Sequence, residues 1–276
     1  MIERIAPRSN VLRTGQVLGY AEKGTKLDIA VLNVEGESVR QCEFLKFWSP
    51  HEAVAFFAER PKPLGIGTVE TLALGTGREG WRAADFWIDE APFHRKSKYD
   101  EFPFFWGPFQ VHGGRSLAAI ALLSAFRRRW PDLPATETAP GECFMHLVRS
   151  TEWPALEARI ATLSRWLKME LTPALGESEW EAGMSAFAMW RGLRGDWPID
   201  LHRLTRPAGL AWQLTVSEKE STEESYHQPA MSYETLIFPA GPVSFFWPPD
   251  ERATAESLEE PSVRPSSNAT PPDAMA

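Results

Sequence analysis

Residues 17–52 read VLGYAEKGTKLDIAVLNVEGESVRQCEFLKFWSPHE, and this stretch decides the fold. Apolar and β-branched residues fill 17–22, 27–34 and 39–47, which predicts three strands. Lys23-Gly24-Thr25-Lys26 separates the first two and offers a glycine for the positive φ of a tight turn. Gly36 opens a second turn. Turns this short join antiparallel neighbours. Ser49, Pro50 and Glu52 then supply an N-cap, a first-turn proline and an N3 glutamate, the pattern that starts a helix.

Working outward, 64–72 is a short apolar run and predicts a buried strand. A loop with Gly75, Gly77 and Gly80 leads into a helix over 81–89. Residues 91–112 are irregular and aromatic, with Phe93, Tyr99, Phe102, Phe104, Phe105, Trp106 and Phe109, and predict a covering loop. Leu123, Phe126 and Trp130 stand at helical spacing in 116–130, which Pro131 and Pro134 terminate. A strand over 135–139 follows, then helices over 154–171 and 178–193 and further strands within 210–216 and 233–247. This order predicts an α/β fold: a mixed sheet that opens with three antiparallel strands and carries flanking helices. One domain spans 1–248, with a core over about 15–195 and an extension over 196–248. From 249 to 276 Pro, Ser and Glu dominate, which predicts a disordered tail.

Composition sets the outer limits. A chain of 276 residues that is 43% hydrophobic buries a core without disulfide staples. Cys42 and Cys143 lie in no C-x-x-C pattern and read as reduced thiols, which predicts a cytoplasmic protein. The first residues hold no apolar h-region, and no apolar run approaches the ~18 residues of a membrane span. A net charge of −8 weighs against tight, sequence-independent nucleic-acid binding, although a local basic patch would suffice. The six histidines are scattered, with no H-E-x-x-H and no zinc spacing, and no G-x-S-x-G elbow occurs. The Gly75–Gly80 loop lacks a Gly-Lys-Ser/Thr ending, so it reads as a plain loop ahead of a phosphate cradle.

The chemistry points to carboxylates. Glu70 and Glu137 fall in short apolar segments, where an ionised carboxylate needs a partner or a metal. Glu181 lies on a helix and shares a face with Ser185 and Ala188, small neighbours that allow close approach to a sheet. Carboxylates from two strand ends and a later helix suit Mg²⁺ or Mn²⁺, which take oxygen ligands. The plainer alternative is that acids scattered over an acidic protein hold no metal. Arg82 and Asp85, at i and i+3, are either a surface ion pair or a phosphate contact oriented by Asp85. Arg127, Arg128 and Arg129 end a helix, where cations complement its dipole or contact a nucleic-acid backbone.

Three blocks together resemble a prokaryotic domain-of-unknown-function family, number four-two-nine, described as predicted RNase H-like nucleases. They are Val69-Glu70-Thr71 with Trp81-Arg82-Ala83-Ala84-Asp85, the helix over 116–130 with Thr136-Glu137-Thr138-Ala139-Pro140, and Glu179-Trp180-Glu181-Ala182. The resemblance covers about 15–195 and implies an RNase H-like fold and a metal-dependent nuclease or phosphodiesterase. Glu70, Glu137 and Glu181 would be the catalytic ligands, with Glu22 a fourth and Arg82 on phosphate. One departure is plain: Ala21 stands where the family carries a first-strand Asp, and Glu22 comes one residue late, pointing to the other face. Two other expectations follow. One is a non-catalytic scaffold that holds a protein through 91–112; the other is an enzyme that takes a small phosphorylated metabolite at the Gly75–Gly80 loop.

Overall fold

The computed structural model describes residues 14–75, 82–89, 108–172, 174–203 and 236–252. Gly15–Lys23 forms β1, Lys26–Glu35 forms β2 and Ser38–Phe47 forms β3. β1 pairs antiparallel with β2 from Gly15↔Val34 to Lys23↔Lys26, and β2 pairs antiparallel with β3. Gly24 and Gly36 take φ of +66° and +59° in the two turns, a conformation that needs no Cβ. Helix α1 (Pro50–Ala58) starts as the sequence predicts. Its Glu52 N–H donates to Ser49 Oγ at 3.1 Å, and Glu52 Oε2 reaches back to the Trp48 N–H at 2.8 Å.

The chain then forms β4 (Gly65–Thr68), β5 (Leu74–Gly75), α2 (Ala83–Asp89), α3 (Pro108–Arg129) and β6 (Ala135–Glu137). After these come α4 (Pro140–Val148), α5 (Leu156–Leu167), α6 (Glu177–Arg194), β7 (Ile199–Asp200), a 3₁₀ turn (Leu201–Arg203), β8 (Leu236–Ile237) and β9 (Phe246–Trp247). The main sheet has the order β3-β2-β1-β4-β6, with β4 parallel to β1 and β6 parallel to β4. Three antiparallel strands continued by two parallel ones, with helices on both faces, make the RNase H-like fold.

Each face of the sheet carries its own core. On one face Val17, Ala21 and Leu32 pack with Leu163, Trp180 and Met189 of α5 and α6. On the other, Leu18, Tyr20 and Ile29 pack with Phe57 of α1 and with Leu122 and Phe126 of α3. The described part of 196–248 joins the first core through Trp197, Ile199, Leu201, Phe245 and Trp247. Ser244 extends the sheet edge, donating to Ala135 O at 2.9 Å and accepting from the Glu137 N–H at 2.8 Å. Arg127 clamps this return by donating to the carbonyls of Leu133, Ala240 and Pro242. Beyond 249, Arg252 donates to Trp87 O at 2.8 Å and stacks over the Trp87 ring; residues 253–276 lie outside the described residues.

Several boundaries differ from the sequence reading. The strand expected over 64–72 stops at Thr68, which leaves Glu70 just past its end. The helix expected from 116 begins at Pro108. Pro140, expected to close a strand, instead occupies the first turn of α4, where its fixed φ and missing N–H cost nothing. Both cysteines are free, Cys143 buried and Cys42 partly so. Among the described residues no helix is long and apolar enough to cross a membrane.

Helix α6 lies on the sheet main chain to main chain. A Cβ on Gly19 would stand 2.0 Å from Ala182 O, and one on Gly67 would stand 2.1 Å from Ser185 O. No side-chain rotation relieves a clash with backbone. Gly19→Ala is therefore expected to destabilise the fold at or beyond the ~3 kcal/mol upper range of ordinary overpacking, read as a lowered urea midpoint at unchanged m-value. An unchanged midpoint would show that α6 does not rest on β1 in this way.

Candidate functional site

β1 and β4 run parallel, with Tyr20 beside Thr68, so both strands deliver their carboxyl ends to one place. Glu22 and Glu70 each lie two residues beyond that pair. The close approach of α6 brings Glu181 to the same end of the sheet. Glu70 is only 4% exposed. Burial pushes its carboxyl up to about 7; the Arg115 guanidinium pulls it back, and the negative charges of Glu181 and Glu22 push it further up. Burial also pushes Glu181 up to about 7, with Glu177 and Glu142 adding to the rise and Arg115 and Arg159 opposing it.

Cationic help at this cluster is thin. Arg115 Nη1 stands 3.5 Å from Glu70 Oε1, and Nη2 donates to the main-chain oxygen of Glu22 at 2.9 Å. The Arg115 side chain is 45% exposed, so water screens much of its charge. Tyr20 donates its hydroxyl to Glu22 Oε2 at 3.2 Å, and burial beside Glu22 drives the phenol well above its usual range. Glu181's carboxylate has no hydrogen bond or ion pair with a described residue.

Glu137 belongs to a different constellation. It is 1% exposed, and its carboxylate accepts from the main-chain N–H groups of Leu72 (2.6 Å) and Ala73 (2.5 Å) and from Arg82 Nη1 (2.6 and 2.8 Å). His202 Nε2 lies 3.4 Å away without hydrogen-bond geometry. Burial alone would raise this carboxyl, but Arg82 and His202 win and hold it at about 2. Arg82 also donates to Ala73 O at 2.9 Å and, through Nε and Nη2, to Asp85. The Arg82 N–H donates to Asp85 Oδ2 at 2.7 Å.

The structure therefore divides the four carboxylates that the sequence groups as metal ligands. Glu22 and Glu181 both act on Glu70, whereas Glu137 is paired with Arg82. The ion pair expected of Arg82 and Asp85 forms in the interior, not at the surface, and the phosphate contact expected of Arg82 finds its guanidinium engaged on protein acceptors. Among the described residues no three His, Cys, Asp or Glu side chains already stand in metal-binding geometry. The donor chemistry still fits a hard cation. Oxygen ligands with too little positive charge around them are what Mg²⁺ and Mn²⁺ require.

Sequence reading missed Tyr20 and Arg115. Tyr20 alternates with Glu22 on one strand face, a signal available at the strand period. Arg115 offers no such signal, because a single arginine on a helix forms no pattern. The aromatic segment 91–107 and residues 76–80 of the glycine loop lie outside the described residues, as does the side chain of His112.

No protein-family profile matches the chain, and no curated protein matches it. Among solved structures it is similar to RuvC of Thermus thermophilus, with 16% identity and a TM-score of 0.38 over 65% of this chain and 96% of that one.

Proposed function

We propose that this protein is a divalent-cation-dependent phosphodiesterase acting on nucleic acid, with its site at Glu70 and Glu181 and with Glu22 as the third carboxylate. One observation carries the reading: carboxyls from the end of β4 and from α6 are gathered at one end of the sheet, where burial pushes both to about 7 and the half-exposed Arg115 is the cation that acts on both. Folded proteins rarely keep carboxylates so poorly compensated except at functional sites. The resemblance of the three sequence blocks to family four-two-nine supports this reading, and the free thiols suit the cytoplasm.

Mg²⁺ or Mn²⁺ would supply charge neutralisation and Lewis acidity toward a phosphoryl oxygen. The chain's own groups do the rest. Glu70 and Glu181 would hold the cation once deprotonated, near neutral pH. Tyr20 fixes the Glu22 carboxylate through its hydroxyl. Arg115 is anchored on Glu22 O and exposed on its outer side, so it can take a phosphate oxygen of the substrate.

A second reading rests on Ala21. It is fully buried on the α6 face, so no acid projects there from β1. A site short of that ligand fits a non-catalytic nucleic-acid or protein-binding member of the fold.

Calorimetry with Mn²⁺ decides between them. Saturable binding is expected in the wild type and is abolished by Glu70→Gln and by Glu181→Gln. Affinity should rise with pH through about 7, because bound protons must leave before the cation enters. Wild-type protein that takes up no Mn²⁺ would sink the metal reading in favour of the second.

Stability offers an independent check with a definite sign. Between the ordinary carboxyl value of ~4.3 and the raised value, the folded state holds protons that the unfolded state has lost, so unfolding free energy falls as pH climbs through this window. Glu137, held at about 2, acts only below it: its contribution is full above ~4.3 and is lost as pH drops toward 2. Urea titrations from pH 4.5 to 7.5 should show declining stability that Glu181→Gln flattens and that Mn²⁺ restores. A flat wild-type profile would show that these carboxyls are not strained.

A further inference from the structure

Resting on the reading of Glu70 and Glu181 as the site, we infer that Glu137 and Thr138, at the end of β6, are its positioning residues. Neither touches the site; each holds a piece of main chain that carries it.

Glu70 sits on the turn between β4 and β5, a segment with few bonds of its own. Its far side is gripped by the buried ion network. Glu137 Oε1 accepts from both the Leu72 and Ala73 N–H groups, while Arg82, pinned by Asp85, donates to Ala73 O. The near side is gripped by hydroxyls. Thr68 Oγ1 donates to Glu70 O at 3.1 Å. Thr138 donates to Thr68 O twice, from its main-chain N–H and from Oγ1, each at 2.7 Å.

Thr138 also reaches α6. Its Oγ1 stands 2.7 Å from Ser185 Oγ, and Ser185 Oγ lies 2.9 Å from Glu181 O, one turn back along the helix. Thr68, Thr138 and Ser185 are all buried. Each hydroxyl has one proton. The Thr138 proton goes to Thr68 O, so the Ser185 proton serves either Thr138 Oγ1 or Glu181 O. The result is a chain of contacts, Glu70 O–Thr68–Thr138–Ser185–Glu181 O, between the two carboxyl-bearing segments, in which Ser185 Oγ lies within bonding reach of both Thr138 Oγ1 and Glu181 O and donates to one at a time. It runs where Gly67 lets the α6 backbone touch β4. Groups that orient metal ligands are typically worth ~10–100-fold in affinity, and Glu137 and Thr138 would do so through the main chain that carries Glu70 and Glu181.

The full chain tests this with Thr138→Val, which keeps the shape and removes the hydroxyl, with Thr138→Ser, which restores it, and with Glu137→Gln. A control, Phe57→Leu, weakens the opposite core. Mn²⁺ affinity is measured well below each melting temperature, beside crystal structures of wild type and Thr138→Val. Thr138→Val and Glu137→Gln are expected to weaken Mn²⁺ by ~10-fold or more, Thr138→Ser and Phe57→Leu by less than about 2-fold. In the Thr138→Val crystal the Glu70 and Glu181 carboxyls should move apart by ~1 Å, the scale at which a site becomes too loose to work. Equal losses in Phe57→Leu, or unchanged affinity with carboxyls in place, would overturn the positioning role. If the wild type binds no Mn²⁺, the metal reading fails alone. The crystal comparison then decides the positioning: displaced carboxyls support it and unmoved ones refute it.

Discussion

Helix α6 rests with its main chain on β1 and β4 because Gly19 and Gly67 present no Cβ to Ala182, Ala186 and Ser185. An ordinary helix–sheet contact keeps the two backbones apart by the length of interleaved side chains. Here that spacer is missing at two adjacent strands. The helix is drawn in at the level of Ala182 and Ser185, and Glu181, beside them in the sequence, comes with it. The same contact lets a serine on α6 reach Thr138, just past β6, across the end of β4. Removing the spacer thus has two consequences at once: a carboxylate is carried to the sheet end, and the hydroxyls that hold it come within bonding distance.

The two groups of acids differ in what surrounds them, not in chemistry. Glu137 is the more deeply buried, yet it is held near 2, because Arg82 and His202 outweigh burial; the guanidinium and two main-chain N–H groups meet its oxygens at 2.5–2.8 Å. Such a pair is costly to desolvate and is tolerated only when nearly every donor and acceptor is satisfied, as Asp85 and Ala73 O ensure for Arg82. Glu70 and Glu181 have burial without that supply of donors, so burial dominates and their carboxyls rise. One network is complete and internally paired; the other is short of positive charge.

This contrast explains what the sequence could disclose. The hairpins and the cap of α1 were legible because glycine turns, strand alternation and Ser49-x-x-Glu52 are local patterns. Glu70 and Glu181 were legible as acids in apolar or small-residue surroundings. The role of Glu137 was not. Its mark in the sequence, an acid in an apolar strand, is the same whether the partner is a metal or an arginine 55 residues away. The i, i+3 spacing of Arg82 and Asp85 gave their pairing, but spacing carries no information on burial. Helix α4 was hidden because Pro140 is as natural at a strand's end as in a helix's first turn.

Ala21 is best understood from its neighbour across the sheet. Its antiparallel partner is Asp28, which points to the same α6 face and is 3% exposed. Its nearest cation, Lys46 Nζ, is 3.9 Å from Asp28 Oδ1 and is shared with Glu179. A second carboxylate at position 21 would stand directly opposite a buried like charge, and cross-strand like charges repel. The acid one residue later escapes this by facing α3. There it meets the Tyr20 hydroxyl, and Arg115 of α3 bonds the Glu22 carbonyl and reaches Glu70. The shift from 21 to 22 thus sets the form of the whole cluster. Its carboxylates come from both faces of the sheet at one end of it, and Arg115 of α3 is a cation that acts on both Glu70 and Glu181.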